Sequence, residues 1–473
     1  MVKKGCMVKR EEKGGRRSRK NEQLLASEEV VSEPVTEELS RVGLDDHSFS
    51  ENSPGFIVAE IEAKLDDRPL PLSQGSEAPN NSQDTILLNS QEYFESGLPT
   101  VSWAQVTESY RRERAIEGLL VGSAVGDALG LHRRGLSRRS AASMFGLSSI
   151  NYRTIPGIGL VSKDTHRMLM AMQATLRSRS QLDKFRDDFA KRLKWYLLTV
   201  PVTAGRATNV AALKLWTGVS SQLSGVASTD GNPLVSAIAL ATVLQGTGHS
   251  VERWIAASTK LTHASEEVLD AALLVAHTAH MALMVPHHKL DSLQVLEALI
   301  RHTKEPSLNE LLAAVRIPLR QGKSVYGAQQ AIAAFKGTPV AHADETAVLA
   351  VYAWLRHPNS FRRAVTSAIR IGGDSSTLAA LVGGFAGIHL GSESIPKAWS
   401  RQLSTWPQNR RWIARMTSRL TDWPHGSEDL HQAPSLPVYP IRQLFRSCGL
   451  AIGVGIGAVL RFPWLVGTWL DRR

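Results

Sequence analysis

Two short stretches set a carboxylate where a helix begins. In IGGDSSTLAALVGGFAG, Asp374 follows Gly372 and Gly373, precedes Ser375, Ser376 and Thr377, and opens an apolar run of small residues. In PGIGLVSKDTHRMLMAMQATL, Asp164 follows Ser162 and Lys163, precedes Thr165, and opens a run of Met, Leu and Ala. Alone, either aspartate reads as a helix cap that accepts backbone N–H groups. Together they read as two halves of one cleft. Asp with Ser and Thr oxygens is a hard donor set, suited to Mg2+ or Mn2+ rather than zinc. Helix N-termini beside such a set would supply N–H donors for phosphate oxygens.

Such chemistry requires two helix starts to meet, which takes a body of packed helices. From Arg111 onward, stretches such as AIEGLLVGSAVGDALGL, QLDKFRDDFAKRLKWYLLT, PLVSAIALATVLQG, SEEVLDAALLVAHTAHMALM and ETAVLAVYAWLRH are helix-length and apolar at three- and four-residue spacing. Gly, Pro and Ser/Thr breaks separate them, and strand-like alternation is nearly absent. The expected fold class is all-α, one many-helix body over 106–420. Residues 1–105, rich in Ser, Glu, Asp, Asn and Pro, read as a disordered charged arm. Residues 421–440 read as a Pro-rich linker and 441–473 as a hydrophobic tail. That tail is interrupted by Arg461, and its tryptophans, Trp464 and Trp469, suit a membrane interface. An interfacial anchor suits it better than a span, and a helix docked on the body is the other reading.

Charge is unevenly distributed. Residues 1–20 carry +7 and 21–100 carry −14, which leaves +18 on the remainder of a chain at +11. A basic body favours anionic partners, although no specific nucleic-acid motif accompanies it. Cys6 and Cys448 lie at opposite ends, so no cysteine-based metal site or disulfide framework is expected, and a reducing, cytoplasmic setting fits. The N-terminus lacks an apolar run after its charges, so no secretory signal is expected there.

Other polar residues have plainer readings. Asp127 sits among Gly118, Gly122, Gly126 and Gly130, a stripe that lets another backbone approach closely. A buried hydrogen-bonding role suits it better than catalysis. His263 reads as a surface histidine before a helix, and His277 and His280 as core or interface residues. His287 and His288 read as loop.

Several of these segments, in order, resemble the ADP-ribosylglycohydrolase family, roughly from Glu113 to Leu403. GLLVGSAVGDALGL resembles the family's opening helix, SKDTHRMLMA its first metal motif, and STDGNPLVSAIAL a segment that cradles ADP-ribose. LTHASEEVLDAALLVAHTAHMAL resembles its Thr-His segment, and IGGDSSTLAALVGG its Gly-Gly-Asp-Thr-Asp-Thr helix start, with SIPKAWSRQL following. The resemblance implies an all-α hydrolase of ADP-ribosyl bonds that uses two divalent metals. It implies catalytic roles for Asp164 and Asp374, and metal donors Ser162, Asp164, Asp374, Ser376 and Thr377. Lys163, Gly231, Asn232, His263, Gly372, Gly373 and Ser375 would contact the ligand.

The departures are chemical. Lys163 and Ser376 stand where the family has aspartates, and Arg134 lies near the place of a site glutamate. One Mg2+ or Mn2+ ion, or none, is expected rather than two. In a metal-free site the Lys163 ammonium would sit where an ion would be, holding Asp164 or a ribose or phosphate oxygen. Three functions follow: a glycohydrolase with one metal or none, a pseudoenzyme binding ADP-ribose without turnover, and a membrane-attached scaffold. The losses at 163 and 376 favour the second over the first.

Overall fold

The computed structural model describes residues 103–146, 150–199, 201, 203–336, 342–423, 441–442, 444–449 and 451. Residues 1–102 of the arm, 424–440 of the linker and most of the tail lie outside these residues; the expected boundaries shift slightly, because 103–105 already belong to the first helix and 421–422 to the last turn of the helix that ends at Asp422. The described residues fall within one unit, Gly97–Arg473.

Seventeen α-helices run in order among the described residues between Trp103 and Asp422. The first eight are α1 Trp103–Gly130, α2 Arg138–Phe145, α3 Lys163–Arg177, α4 Leu182–Leu197, α5 Arg206–Trp216, α6 Leu234–Leu244, α7 Val251–Lys260 and α8 Glu266–Met284. Then come α9 Ser292–His302, α10 Pro306–Ala314, α11 Arg316–Arg320, α12 Val325–Lys336, α13 Ala343–Arg356, α14 Phe361–Ile369, α15 Ser375–Leu390, α16 Lys397–Gln402 and α17 Arg410–Asp422. The described strands are two residues each, β1 Gly159–Leu160 paired in parallel with β2 Leu403–Ser404. An all-α body was expected, and the molecule has one.

Three helices, α6, α13 and α15, are buried along nearly their whole length, which is why their sequences are apolar on every side beyond the acidic first turn of α13. Around them pack amphipathic helices such as α3, α7 and α14. Among the described residues α8 is long and apolar enough to cross a membrane, yet half of it is buried inside the fold, where it packs on α6 and α13.

The pair that matters for the site is α1 and α15. A Cβ at Gly118, Gly122, Gly126 or Gly130 would run into the carbonyl oxygen of Gly387, Gly383, Ala379 or Ser375. The two backbones are therefore in direct contact along four turns, closer than any side chain would allow. This contact brings the start of α15 beside Gly130, the end of α1, and so sets Asp374 next to the loop that carries Arg134.

Candidate functional site

Asp127, three residues before the end of α1, caps a helix that is not its own. Its carboxylate accepts from the Ser162 N–H (2.7 Å) and Oγ (2.6 Å), and from the Thr165 N–H (3.2 Å) and Oγ1 (2.6 Å). Four donors at the first turn of α3 are thus satisfied by one fully buried group. Burial, with the nearby Asp164 charge, pushes the Asp127 carboxyl up to about 6 despite these bonds. Ser162 is the N-cap residue of α3, its Oγ accepting the Asp164 N–H at 3.4 Å.

Asp164 is consequently not the cap. It points inward, fully buried, toward α15. One oxygen accepts from the Lys163 ammonium at 2.6 Å; the other lies near the hydroxyls of Thr377 (3.0 Å), Ser376 (3.3 Å) and Ser162 (3.4 Å). Asp374 stands at the N-cap position of α15, but its side chain makes no cap hydrogen bond. Its carboxylate instead takes the Thr377 hydroxyl (2.8 Å), approaches Ser376 Oγ (3.4 Å) and pairs with Arg134 Nε (3.2 Å). Thr377 and Ser376 therefore bridge the two aspartates. The helix starts do converge, and the cap reading fails for both carboxylates because other partners claim them.

Lys163 and Arg134 form the cationic half. The Lys163 ammonium, itself buried, also reaches Thr377 Oγ1 (3.2 Å) and Asn232 Oδ1 (3.3 Å). Arg134 donates to the Thr203 carbonyl (3.0 Å), while Thr203 Oγ1 accepts the Lys163 N–H (3.0 Å). One loop residue thus holds the Arg134 guanidinium and the backbone of Lys163. Burial opposes ionisation of Asp374, but the Lys163 and Arg134 charges and the Thr377 hydrogen bond outweigh it and hold the carboxyl below its usual range.

The remaining candidates fall into two groups. Asn232 joins the cluster through Lys163, braced by its Nδ2 donating to Thr208 Oγ1 (2.5 Å). Gly231 is buried beside it, where a Cβ would come within 3.3 Å of Leu234. His263 is not a surface residue: it is fully buried in the loop before α8, with Nδ1 against Thr262 Oγ1 (2.8 Å) and Nε2 3.1 Å from Asp230 Oδ1. Burial pulls its imidazole below the usual range, with Asp230 pulling the other way. Gly372 and Gly373 adopt positive φ of 79° and 67°, so that Gly373 exchanges backbone hydrogen bonds with Gly135 and Leu136. That pairing ties the Arg134 loop to the Asp374 loop. Ser375 Oγ donates to the Gly130 carbonyl (2.8 Å) and is turned to α1 rather than to the cleft.

Thr203 and Asp230 escaped the sequence reading. Asp230 lies two residues before Asn232, accepts its N–H (3.1 Å), and is 40% exposed at the side chain. Burial raises its carboxyl, but the His263 contact, the Lys163 charge and the Asn232 N–H prevail and hold it well below the carboxylate range. The carboxylate in STDGN was the signal that could have found it; Thr203, in an irregular loop, left none.

Two divalent ions do not suit this donor set. The Lys163 ammonium already bridges Asp164 and Thr377, two of the groups that would have to serve as ligands. Like unit charges about 4 Å apart cost roughly 4 kcal/mol at an effective dielectric near 20, and a divalent ion doubles that. Among the described residues no three His, Cys, Asp or Glu side chains cluster as metal ligands.

The family model for ADP-ribosylglycohydrolase matches residues 108–429. A protein of unassigned function from Archaeoglobus fulgidus is 24% identical over 314 residues, covering 65% of this chain and 96% of its own. ADP-ribosylhydrolase ARH3 is 27% identical in both Bos taurus and Homo sapiens, over 32% of this chain and 47% of theirs. The chain thus spans about half the length of those two relatives. A solved structure of an ADP-ribosylglycohydrolase-related protein complex, 22% identical, aligns over 66% of this chain and 98% of its own with a TM-score of 0.48. With the family model spanning well over half its length and the motif aspartates brought together in one buried cluster, this chain belongs to the ADP-ribosylglycohydrolase family.

Proposed function

We propose that the chain binds ADP-ribose, free or conjugated, at the meeting of α3 and α15, with Lys163 and Arg134 in place of a metal pair and without efficient hydrolysis. The observation that carries this reading is the Lys163 ammonium, 2.6 Å from Asp164 and 3.2 Å from Thr377. Each of the two motif carboxylates has its own cation, Lys163 for Asp164 and Arg134 for Asp374, so this pair needs no ion from outside. The sealed pair, Asp164 and Lys163, would form the floor. Asp374 and Arg134, each about a quarter exposed, and Asp230 would face the ligand. Carboxylates there suit ribose hydroxyls, and a guanidinium suits a phosphate oxygen.

The same geometry weighs against turnover. A general base needs an accessible carboxylate with proton affinity near the working pH. Asp164 is sealed from solvent, and Asp374 is held low by its cations. Hydrolysis by Asp374 with a single bound ion is the alternative, favoured only by that residue's partial exposure. A cytoplasmic setting, with the cysteines reduced, accompanies either reading.

Titration calorimetry with ADP-ribose decides between them. The binding isotherm is expected to be the same in Mg2+ and in EDTA. Loss of binding in EDTA would overturn the cation-pair reading; no binding in either buffer would overturn ADP-ribose recognition itself.

A further inference from the structure

The described part of the C-terminal tail is turned inside out for a helix on a protein surface. Residues 441–442 and 444–449 are helical. Ile441, Leu444 and Phe445 are 70%, 37% and 69% exposed, and Cys448 is exposed as well. Their spacing of three, four and seven from Ile441 places all four on one face. The charged residue is the buried one. Arg446, only 7% exposed, donates to the Val161 carbonyl and to His166 Nε2 (2.9 Å), and Ser447 is buried beside it. To accept this bond the imidazole must be neutral with its proton on Nδ1, the nitrogen that faces Tyr196 Oη at 3.5 Å.

We infer that this helix is a lipid-docking surface, seated on the body by Arg446 and presenting Ile441, Leu444, Phe445 and Cys448 to the interfacial region of a bilayer. Water favours the opposite arrangement, with guanidinium out and apolar face in. The chain that follows fits a lipid surface better than a protein partner. Its residues 452–473 are uncharged apart from Arg461, Asp471, Arg472 and Arg473, and include Trp464 and Trp469. Tryptophans at headgroup depth and arginines against anionic lipid are the chemistry of an interfacial anchor. Over 441–473 five arginines face a single aspartate. Because Val161 and His166 flank the start of α3, the docking helix is bolted to the same turn that carries Lys163 and Asp164.

The test is co-sedimentation of the full chain with vesicles of phosphatidylcholine containing about one-third phosphatidylglycerol. The parent is expected in the pellet. The variant Ile441→Ser, Leu444→Ser, Phe445→Ser is expected to lose about tenfold in vesicle-bound fraction. These side chains face solvent, so an unchanged melting temperature checks that the fold is intact. A parent that stays in the supernatant overturns the proposal. So does a triple variant that sediments as well as the parent, which would assign binding to the residues beyond Ala451. A parent that is dimeric without vesicles and monomeric once the stripe is changed would make a second copy the occupant, and would equally overturn it.

Discussion

The starts of α3 and α15 carry one local pattern and end in different surroundings. Asp164 is sealed among three hydroxyls and an ammonium. Asp374 keeps 26% of its side chain exposed and pairs with an arginine that is itself partly exposed. The cause lies outside either motif. Asp127 pulls the first turn of α3 against the end of α1, whereas positive-φ glycines turn the Asp374 loop out to meet Arg134. Equal residue types therefore end in unequal settings: Asp164 is closed off inside the cluster, and Asp374 keeps an exposed edge.

The largest expected effect follows from the sealed member. Asp164→Ala leaves the Lys163 ammonium buried without its counter-charge, a change that costs about 3–5 kcal/mol. Asp374→Ala, at a partly solvated pair, costs about 1 kcal/mol or less. Urea denaturation of the two variants measures the gap. Equal losses would show that the two aspartates are equivalent, and the comparison would fall.

Next in size is an attempt to abolish the difference by restoring carboxylates. Lys163→Asp with Ser376→Asp shifts the cluster by −3, toward the compensation that divalent ions require. The double variant is expected to gain at least about tenfold in Mn2+ affinity, roughly 1.4 kcal/mol, over a weakly binding parent. Each single variant should fall short, because neighbouring ligands couple. Mn2+ spin resonance reads this directly, and a folded double variant with the parent's affinity would count against a latent metal centre.

The smallest effect is in acid. Because the folded-state value of Asp374 is depressed, its contribution to stability is present above the unfolded value near 4 and is lost as pH falls through the folded one. Partial exposure keeps that contribution to a few tenths of a kcal/mol. Stability measured from pH 5 down to pH 2 should fall slightly more steeply for the parent than for Asp374→Asn. Parallel curves would mean that the Arg134 pair adds nothing to stability.

Much of the arrangement was readable from residue order. Apolar spacing located the helices, because burying one face of a helix requires it. The glycine stripe announced a backbone-to-backbone contact, since only residues without a Cβ permit one. Hydroxyls flanking two aspartates pointed to convergence, and Lys163 in a run of expected ligands signalled an ammonium among them. What sequence order could not supply was the partner of each charge. Arg134 with Asp374, Asp230 with His263, Thr203 with the Arg134 guanidinium and the Lys163 backbone, and Arg446 behind α3 join residues 33 to 285 positions apart. The path of irregular loops and the docking of whole helices select such partners. Local propensities, which act within a turn or two, carry no information about them. The helices and the list of charged residues thus came from the chain alone, while the tertiary structure decided which carboxylate was sealed, which was left partly exposed, and which arginine was buried while the apolar side chains beside it stayed in water.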